Sequence, residues 1–312
     1  MAEHVLVTGG AGYLGSILCE HLLGAGCRVT VVDRLSHGQG PLFHLCANPA
    51  FEFVLGDVRD EGLMSRLVNQ ADVLIPLAAV VGARACDRDP WLATSVNLDA
   101  IRLLNRLRSP RQLVAFPNTN SGYGTRSGES HCTEDTPLEP ISLYGRTKVQ
   151  AEAELLGSPN VITLRLATVF GTSPRMRIDL LVNHFVYVAV TDGYIIVFEK
   201  DFKRNFVHIR DVADCFLHCI AHAEPMTGRP YNVGLDAANV SKETLAKLVQ
   251  KHVPRFVVQF SEIGVDPDKR DYIVSNQRLR DAGFEARRSL DDGIQELLKG
   301  YRLMGRSPLR NV

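Results

Sequence analysis

The opening fifteen residues restrict the fold more than any other part of this chain. His4-Val5-Leu6-Val7-Thr8 reads as a buried strand, and glycines follow at positions 9, 10, 12 and 15. Leu14, Ile17, Leu18, Leu22 and Leu23 then recur at helical spacing. Strand, glycine turn and helix in that order open a dinucleotide-binding βαβ unit. A tight turn, a backbone lying against a pyrophosphate, and a helix packed hard on a strand each favour a residue without a Cβ. The first turn of such a helix also offers unpaired N–H groups and the positive end of its dipole to phosphate oxygens. On spacing alone, Gly10, Gly12 and Gly15 fit the GxGxxG pattern.

Downstream, residues 28–33, 51–55, 72–76, 112–116 and 161–166 read as strands, and 97–107 and 144–156 as helices. Apolar strands separated by helices imply a parallel sheet covered on both faces, with ligands at the carboxyl ends of the strands. The chain is therefore expected to be α/β, a Rossmann-type doubly wound parallel sheet with a smaller C-terminal α/β lobe. Past Gly171 the pattern loosens into a loop through Arg175-Met176-Arg177, a helix over 178–190, a strand over 194–198, and amphipathic helices over 244–253 and 290–303. We expect a dinucleotide domain over 1–171, rejoined by 206–224, and a substrate lobe over 172–205 and 225–312 that packs against it across a cleft.

Composition narrows the partners. Basic and acidic residues balance at 35 each, which speaks against nucleic acid as an electrostatic partner. With 45% hydrophobic and 22% charged residues, the chain reads as an ordinary globular protein. Its apolar runs are too short for a membrane span, and no signal-like segment follows the N-terminus. The seven cysteines are scattered and lack CxxC spacing, so we expect no metal site and a reducing, cytoplasmic setting. Cys215 and Cys219 share a helix face and read as small buried hydrophobes.

Several residues carry chemistry. Asp33 ends the second strand, where an acid accepts the ribose hydroxyls of NAD and repels the 2′-phosphate of NADP; Arg34 beside it works in the opposite sense. Tyr144 and Lys148 stand one helical turn apart on the same face. A nearby ammonium favours the phenolate, which makes the tyrosine a base for a sugar or alcohol hydroxyl as hydride leaves its carbon. Before them, a strand ends in Asn118-Thr119-Asn120-Ser121-Gly122-Tyr123-Gly124, where a hydroxyl can share the substrate's hydrogen bond.

This ordered set resembles the extended short-chain dehydrogenase/reductase family, in its NAD-dependent epimerase/dehydratase branch, over essentially the whole chain. The TGxxGxxG pattern falls on Thr8, Gly9, Gly12 and Gly15, which shifts the glycine register by one residue. The resemblance implies NAD, held by Gly9, Gly12, Tyr13, Leu14, Gly15, Asp33, Asp57, Val58, Leu77, Ala78, Ala79 and Asn97 together with Tyr144 and Lys148. It implies a catalytic triad of Thr119, Tyr144 and Lys148, with Ser121 as the alternative hydroxyl. It also implies a nucleotide-diphosphate sugar substrate, met by Val81, Thr119, Asn120, Ser121, Arg175, Asn183, Arg204 and Arg270, and a homodimer built on 97–107 and 144–156.

Segments 118–124, 165–171, 174–177, 179–183 and 266–276 are similar to bacterial GDP-heptose 4-dehydrogenases, and the likeness to nucleotide-sugar 4-epimerases is also strong. Both classes begin with Tyr144 taking the 4-hydroxyl proton as hydride passes to NAD. An epimerase then returns the hydride to the other face, whereas a dehydrogenase releases the ketone. Net 4-epimerisation is the expected outcome, and net 4-dehydrogenation is the alternative. Asn120 and Ser121 stand where the 4,6-dehydratases of the family carry an Asp-Glu pair, so loss of water is not expected. A non-catalytic NAD-binding regulator is a third reading, opposed by the intact Tyr144/Lys148 pair.

Overall fold

Every residue of β1 (His4–Thr8) is buried, as a strand covered on both faces requires. The computed structural model describes residues 3–38, 40–125, 131–262 and 271–304. After β1 come α1 (Tyr13–Gly24), β2 (Arg28–Asp33), β3 (Phe51–Leu55), α2 (Glu61–Val68), β4 (Val73–Pro76), α3 (Ala83–Arg88), α4 (Pro90–Thr94), α5 (Ala100–Leu107) and β5 (Leu113–Thr119). The middle of the chain holds β6 (His131–Cys132), α6 (Leu143–Leu156), β7 (Val161–Leu166), β8 (Thr168–Phe170), α7 (Leu181–Thr191), β9 (Tyr194–Phe198), β10 (Lys203–His208) and α8 (Ile209–Ala221). It closes with α9 (Ala223–Met226), β11 (Arg229–Val233), β12 (Asn239–Ser241), α10 (Lys242–His252), β13 (Val257–Ser261), β14 (Ile273–Val274), α11 (Gln277–Asp281) and α12 (Leu290–Met304).

Seven strands form one parallel sheet in the order β11-β7-β5-β4-β1-β2-β3. The chain order reverses between β1 and β4, which makes their carboxyl ends the topological switch point where such sheets bind ligands. On one face, Ile17, Leu18 and Leu22 of α1 join Val212, Cys215, Phe216 and Cys219 of α8 in a single buried core. On the other, Met64 and Leu67 of α2, Ile101 and Leu104 of α5, and Ala151 and Leu155 of α6 form the second layer. A separate core of Val182, Phe185, Leu245, Val249, Ile294 and Leu297 joins α7, α10 and α12 in the smaller lobe.

Three boundaries differ from the sequence reading. Residues 229–233, expected in the small lobe, are the edge strand β11 of the large sheet, paired with β7. The helix expected from Asn97 begins instead with a π-helical turn, Ser95–Asp99, ahead of α5. Strand β5 runs through to Thr119, so that hydroxyl stands at the strand end itself. Among the described residues, no helix is long and apolar enough to cross a membrane.

Candidate active site

The site begins at the glycine turn. Gly9 adopts φ +72, and a Cβ there would come within 2.6 Å of the Ala78 nitrogen, so only glycine lets the ends of β1 and β4 meet. The same junction is tied by Ala78 N donating to Thr8 Oγ1 at 3.2 Å. A Cβ on Gly15 would strike Gly10 Cα and Gly9 O at 2.6 Å, which allows α1 to pack directly on the turn. Gly12 is different. It caps α1 with no side-chain hydrogen bond, and a Cβ there would meet only Gly9 O, at 3.1 Å. A helix start left without a side-chain cap fits a phosphate.

Asp33 closes β2 and is bonded to this turn: Ala11 N donates to it at 3.0 Å and Leu35 N at 2.8 Å. Asp57 accepts from Arg59 Nη2 at 2.7 Å, and that bond holds its carboxyl below the usual range. Arg34 turns to the same carboxylate at 3.3 Å, so its charge is compensated there and does not stand free beside Asp33. Val58 is buried behind them. Leu77 N donates to Thr8 O at 3.0 Å, which carries Leu77, Ala78 and Ala79 past the switch point. Leu14 packs partly buried against the α1 core.

Asn97 acts on the loop beyond. It accepts from Val80 N at 2.8 Å and donates to Val80 O at 3.0 Å, while also reaching Thr147 of α6 at 3.4 Å. Asn97 therefore fixes the loop carrying exposed Val81 against the helix that carries Tyr144. The Tyr13 ring is buried, and its hydroxyl donates to Gly171 O at 2.7 Å, joining the glycine turn to the start of the small lobe. Asn183 is fully buried behind it. It donates to the Tyr13 hydroxyl at 3.2 Å and to Arg177 O at 2.9 Å, and accepts from Gly171 N at 3.1 Å.

Helix α6 carries the tyrosine and lysine expected to act in the chemistry. Ser142 caps it by accepting from Gly145 N at 3.1 Å. A Cβ on Gly145 would lie 3.4 Å from Ser121 O, so the helix start is pressed against the turn that follows β5. In that turn, Thr119 Oγ1 donates to Ser121 Oγ at 3.0 Å and accepts from Ser121 N at 3.1 Å, placing the two candidate hydroxyls at one point. Asn120 is buried between them, and neither polar atom of its side chain has a hydrogen-bond partner among the described residues.

Tyr144, Lys148 and Glu152 follow one another at single-turn intervals along α6. Tyr144 is half-buried. The Lys148 ammonium lies 3.9 Å from the centre of the Phe116 ring, and burial pushes its pKa down to about 7 against the opposing charge of Glu152. Glu152 is itself buried. It accepts from Arg165 Nη2 at 2.7 Å, Asn118 Nδ2 at 2.7 Å and Thr163 Oγ1 at 3.0 Å. The sequence reading missed Glu152, although its four-residue spacing from Lys148 is visible in the chain.

The remaining expected site residues lie on the small lobe. Arg204 is buried on β10, opposite Val240 of β12. Arg175 is buried in the loop after β8, and Arg270 lies outside the described residues. Glu296 of α12 fastens this lobe. It accepts from Thr172 N at 2.8 Å and Arg210 Nη1 at 2.9 Å, and meets His208 Nε2 at 3.1 Å. Burial opposes its ionisation, but the bonds from His208 and Thr172 prevail and hold its carboxyl at about 2. Among the described residues, no group of three or more His, Cys, Asp or Glu is placed to hold a metal ion.

Residues 5–234 match the model of the NAD dependent epimerase/dehydratase family. A UDP-glucose 4-epimerase of Mycolicibacterium smegmatis is 28% identical over 319 residues, covering 95% of this chain and 98% of the relative. An uncharacterized UDP-glucose epimerase of Bacillus subtilis, YtcB, is 31% identical over 250 residues, covering 74% of each. Among solved structures, a UDP-glucose 4-epimerase of Stenotrophomonas maltophila with bound NAD and formylated UDP-arabinopyranose shares the fold. Its TM-score is 0.86 at 23% identity, over 98% of this chain and 100% of that one.

Proposed function

This chain belongs to the NAD-dependent epimerase/dehydratase family, and from that premise we propose that it epimerises a nucleotide-activated hexose or heptose at C4 through a 4-keto sugar. The observation that carries the reading is Tyr144 one turn before a buried Lys148, on a helix pressed against the Thr119–Ser121 hydroxyl pair. Tyr144 removes the proton of the 4-hydroxyl, and the Lys148 charge favours the phenolate that does so. Thr119 and Ser121 hold the reacting oxygen in line. The glycine turn and Asp33 would hold NAD, which when bound would supply the hydride acceptor and donor. Asn120 and Ser121 carry no group that ionises near neutrality, so elimination of water has no acid–base pair at that position.

The rest of the proposal follows from the family. Arg204 and Arg270 meet the sugar diphosphate, for which the guanidinium fork is suited. Two chains pair through α5 and α6, and the enzyme works in the cytoplasm. The test is incubation in deuterated water with UDP-, GDP-, ADP- and CDP-activated hexoses and heptoses, read by NMR. We expect a C4 epimer that keeps its own hydrogen at C4 and gains no deuterium at C3 or C5. Deuterium at either carbon, or the absence of turnover with every substrate, would refute the C4 mechanism. Accumulation of a 4-keto sugar with equimolar NADH would replace net epimerisation by net 4-dehydrogenation.

A further inference from the structure

The loop leaving β8 does not run straight into the small lobe; it first crosses the glycine turn. Ser173 Oγ donates to Tyr13 O at 2.7 Å, meets Ser16 Oγ at 2.9 Å, and accepts from Arg175 N at 3.2 Å. With Tyr13 OH on Gly171 O at 2.7 Å, residues 171–175 are laid across the first turn of α1. That is the turn whose N-cap, Gly12, brings no side chain to the helix start.

Arg175 enters this place as a buried cation, 8% exposed. Among the described residues its Nε has no hydrogen-bond partner, and its guanidinium makes one long bond, Nη1 to Met176 O at 3.4 Å. Neighbouring Arg177 differs, because Asp179 accepts from its Nε at 2.6 Å. Burial and the Arg177 charge weigh against the Arg175 cation, while the charges of Asp179 and Asp33 support it. Arg177, further along, lies within electrostatic reach of Tyr144 and Tyr13. Arg175 is thus within electrostatic reach of the ribose acid Asp33, and Arg177 of the base Tyr144, the two ends of the line a dinucleotide would follow. A dinucleotide on that line has its adenosine ribose at one end, its nicotinamide at the other, and its pyrophosphate between. A buried guanidinium without a bonded counter-ion is unfavourable, and phosphate oxygens match its fork.

We propose that Arg175 is a ligand of the cofactor pyrophosphate, closing on it from the side opposite the glycine turn, and that residues 171–177 form a strap that retains the dinucleotide through the catalytic cycle. This rests on the chain being a dinucleotide-binding enzyme, and it moves Arg175 from the sugar diphosphate, where the sequence reading places it, to the cofactor.

The test is titration calorimetry of cofactor-free wild type, R175M and R175K with ADP-ribose, which carries the pyrophosphate without the nicotinamide, together with melting curves with and without that ligand. R175M should bind ADP-ribose about 10- to 100-fold more weakly, as loss of charged hydrogen bonds requires. Its ligand-free melting temperature should equal or exceed that of wild type, because a buried unpaired charge has gone, and the rise induced by ADP-ribose should shrink. R175K, which keeps the charge but not the fork, should be several-fold weaker and serves alone if R175M does not fold. Wild-type affinity in both variants would overturn the proposal, as would unchanged ADP-ribose binding accompanied by loss of UDP or GDP binding. Failure of the wild type itself to bind ADP-ribose would refute the dinucleotide reading instead.

Discussion

Replacing Lys148 by methionine should remove activity and yet stabilise the cofactor-free protein, by an amount that depends on pH. Burial lowers the lysine from 10.5 to about 7 in the folded chain. Between those values the unfolded chain carries a proton that the folded chain does not, so wild-type stability rises with pH across that window. Below 7 the amine is charged in both states and its burial penalty is complete. Linkage makes that penalty about 5 kcal/mol at pH 6 and about 1.4 kcal/mol at pH 9.5. Methionine keeps the aliphatic stem and abolishes the charge. The gain at pH 6 is then about 5 kcal/mol. For 312 residues, roughly 1.5 °C of melting temperature corresponds to each kcal/mol. K148M should therefore melt about 7 °C above wild type at pH 6, with the gap closing to about 2 °C at pH 9.5. Calorimetric melting of both cofactor-free proteins at the two pH values checks this. A variant that melts below wild type at pH 6, or a gap independent of pH, would show that Lys148 is not held as a strained buried cation.

Two further substitutions probe the groups behind the site. Glu152→Gln leaves Arg165 buried without its counter-charge, so it should destabilise the chain by about 3–5 kcal/mol, seen as a lower melting temperature. It also removes the charge that supports the Lys148 ammonium, so the alkaline limb of kcat should move to lower pH. An unchanged profile would disconnect the two residues. Glu296→Gln should loosen α12 by about 1–2 kcal/mol at neutral pH, after allowance for solvent screening of a partly exposed carboxylate. Because the folded carboxyl lies near 2 and its ordinary value is 4.5, that difference from wild type should persist above pH 4.5 and disappear as pH falls through about 2. Acid titration of the two proteins, followed by circular dichroism, reads it directly.

The large sheet could be read from the chain because central strands such as β1 and β4 are apolar on both faces and the first turn is punctuated by glycine. The same signals fail at β11. Arg229-Pro230-Tyr231-Asn232-Val233 contains a proline, which an edge strand admits, and a buried asparagine. That asparagine is satisfied by Tyr123, 109 residues away, and by Ser275. No window of sequence contains those partners. The π-helical turn at Asn97 is equally invisible, since one extra residue per turn leaves the apolar pattern of α5 intact.

At the site, Thr119, Tyr144 and Lys148 stand out through order and spacing, but their environment does not. Glu152 and Arg165 look like solvated charges until β7 and α6 are packed, when they become a buried pair beneath Lys148. The path of Arg175 depends on Ser173 meeting Tyr13, a contact between residues 160 positions apart.

The decisive measurement is stopped-flow absorbance of the reduced nicotinamide, with wild type and Tyr144→Phe each preloaded with NAD and mixed with whichever nucleotide sugar the wild type is found to turn over. With Tyr144 as the base that initiates hydride transfer, the wild type should show transient reduction within a turnover. The variant should still bind the sugar but reduce its cofactor about 10²- to 10⁴-fold more slowly. Reduction in Tyr144→Phe at the wild-type rate would contradict the mechanism.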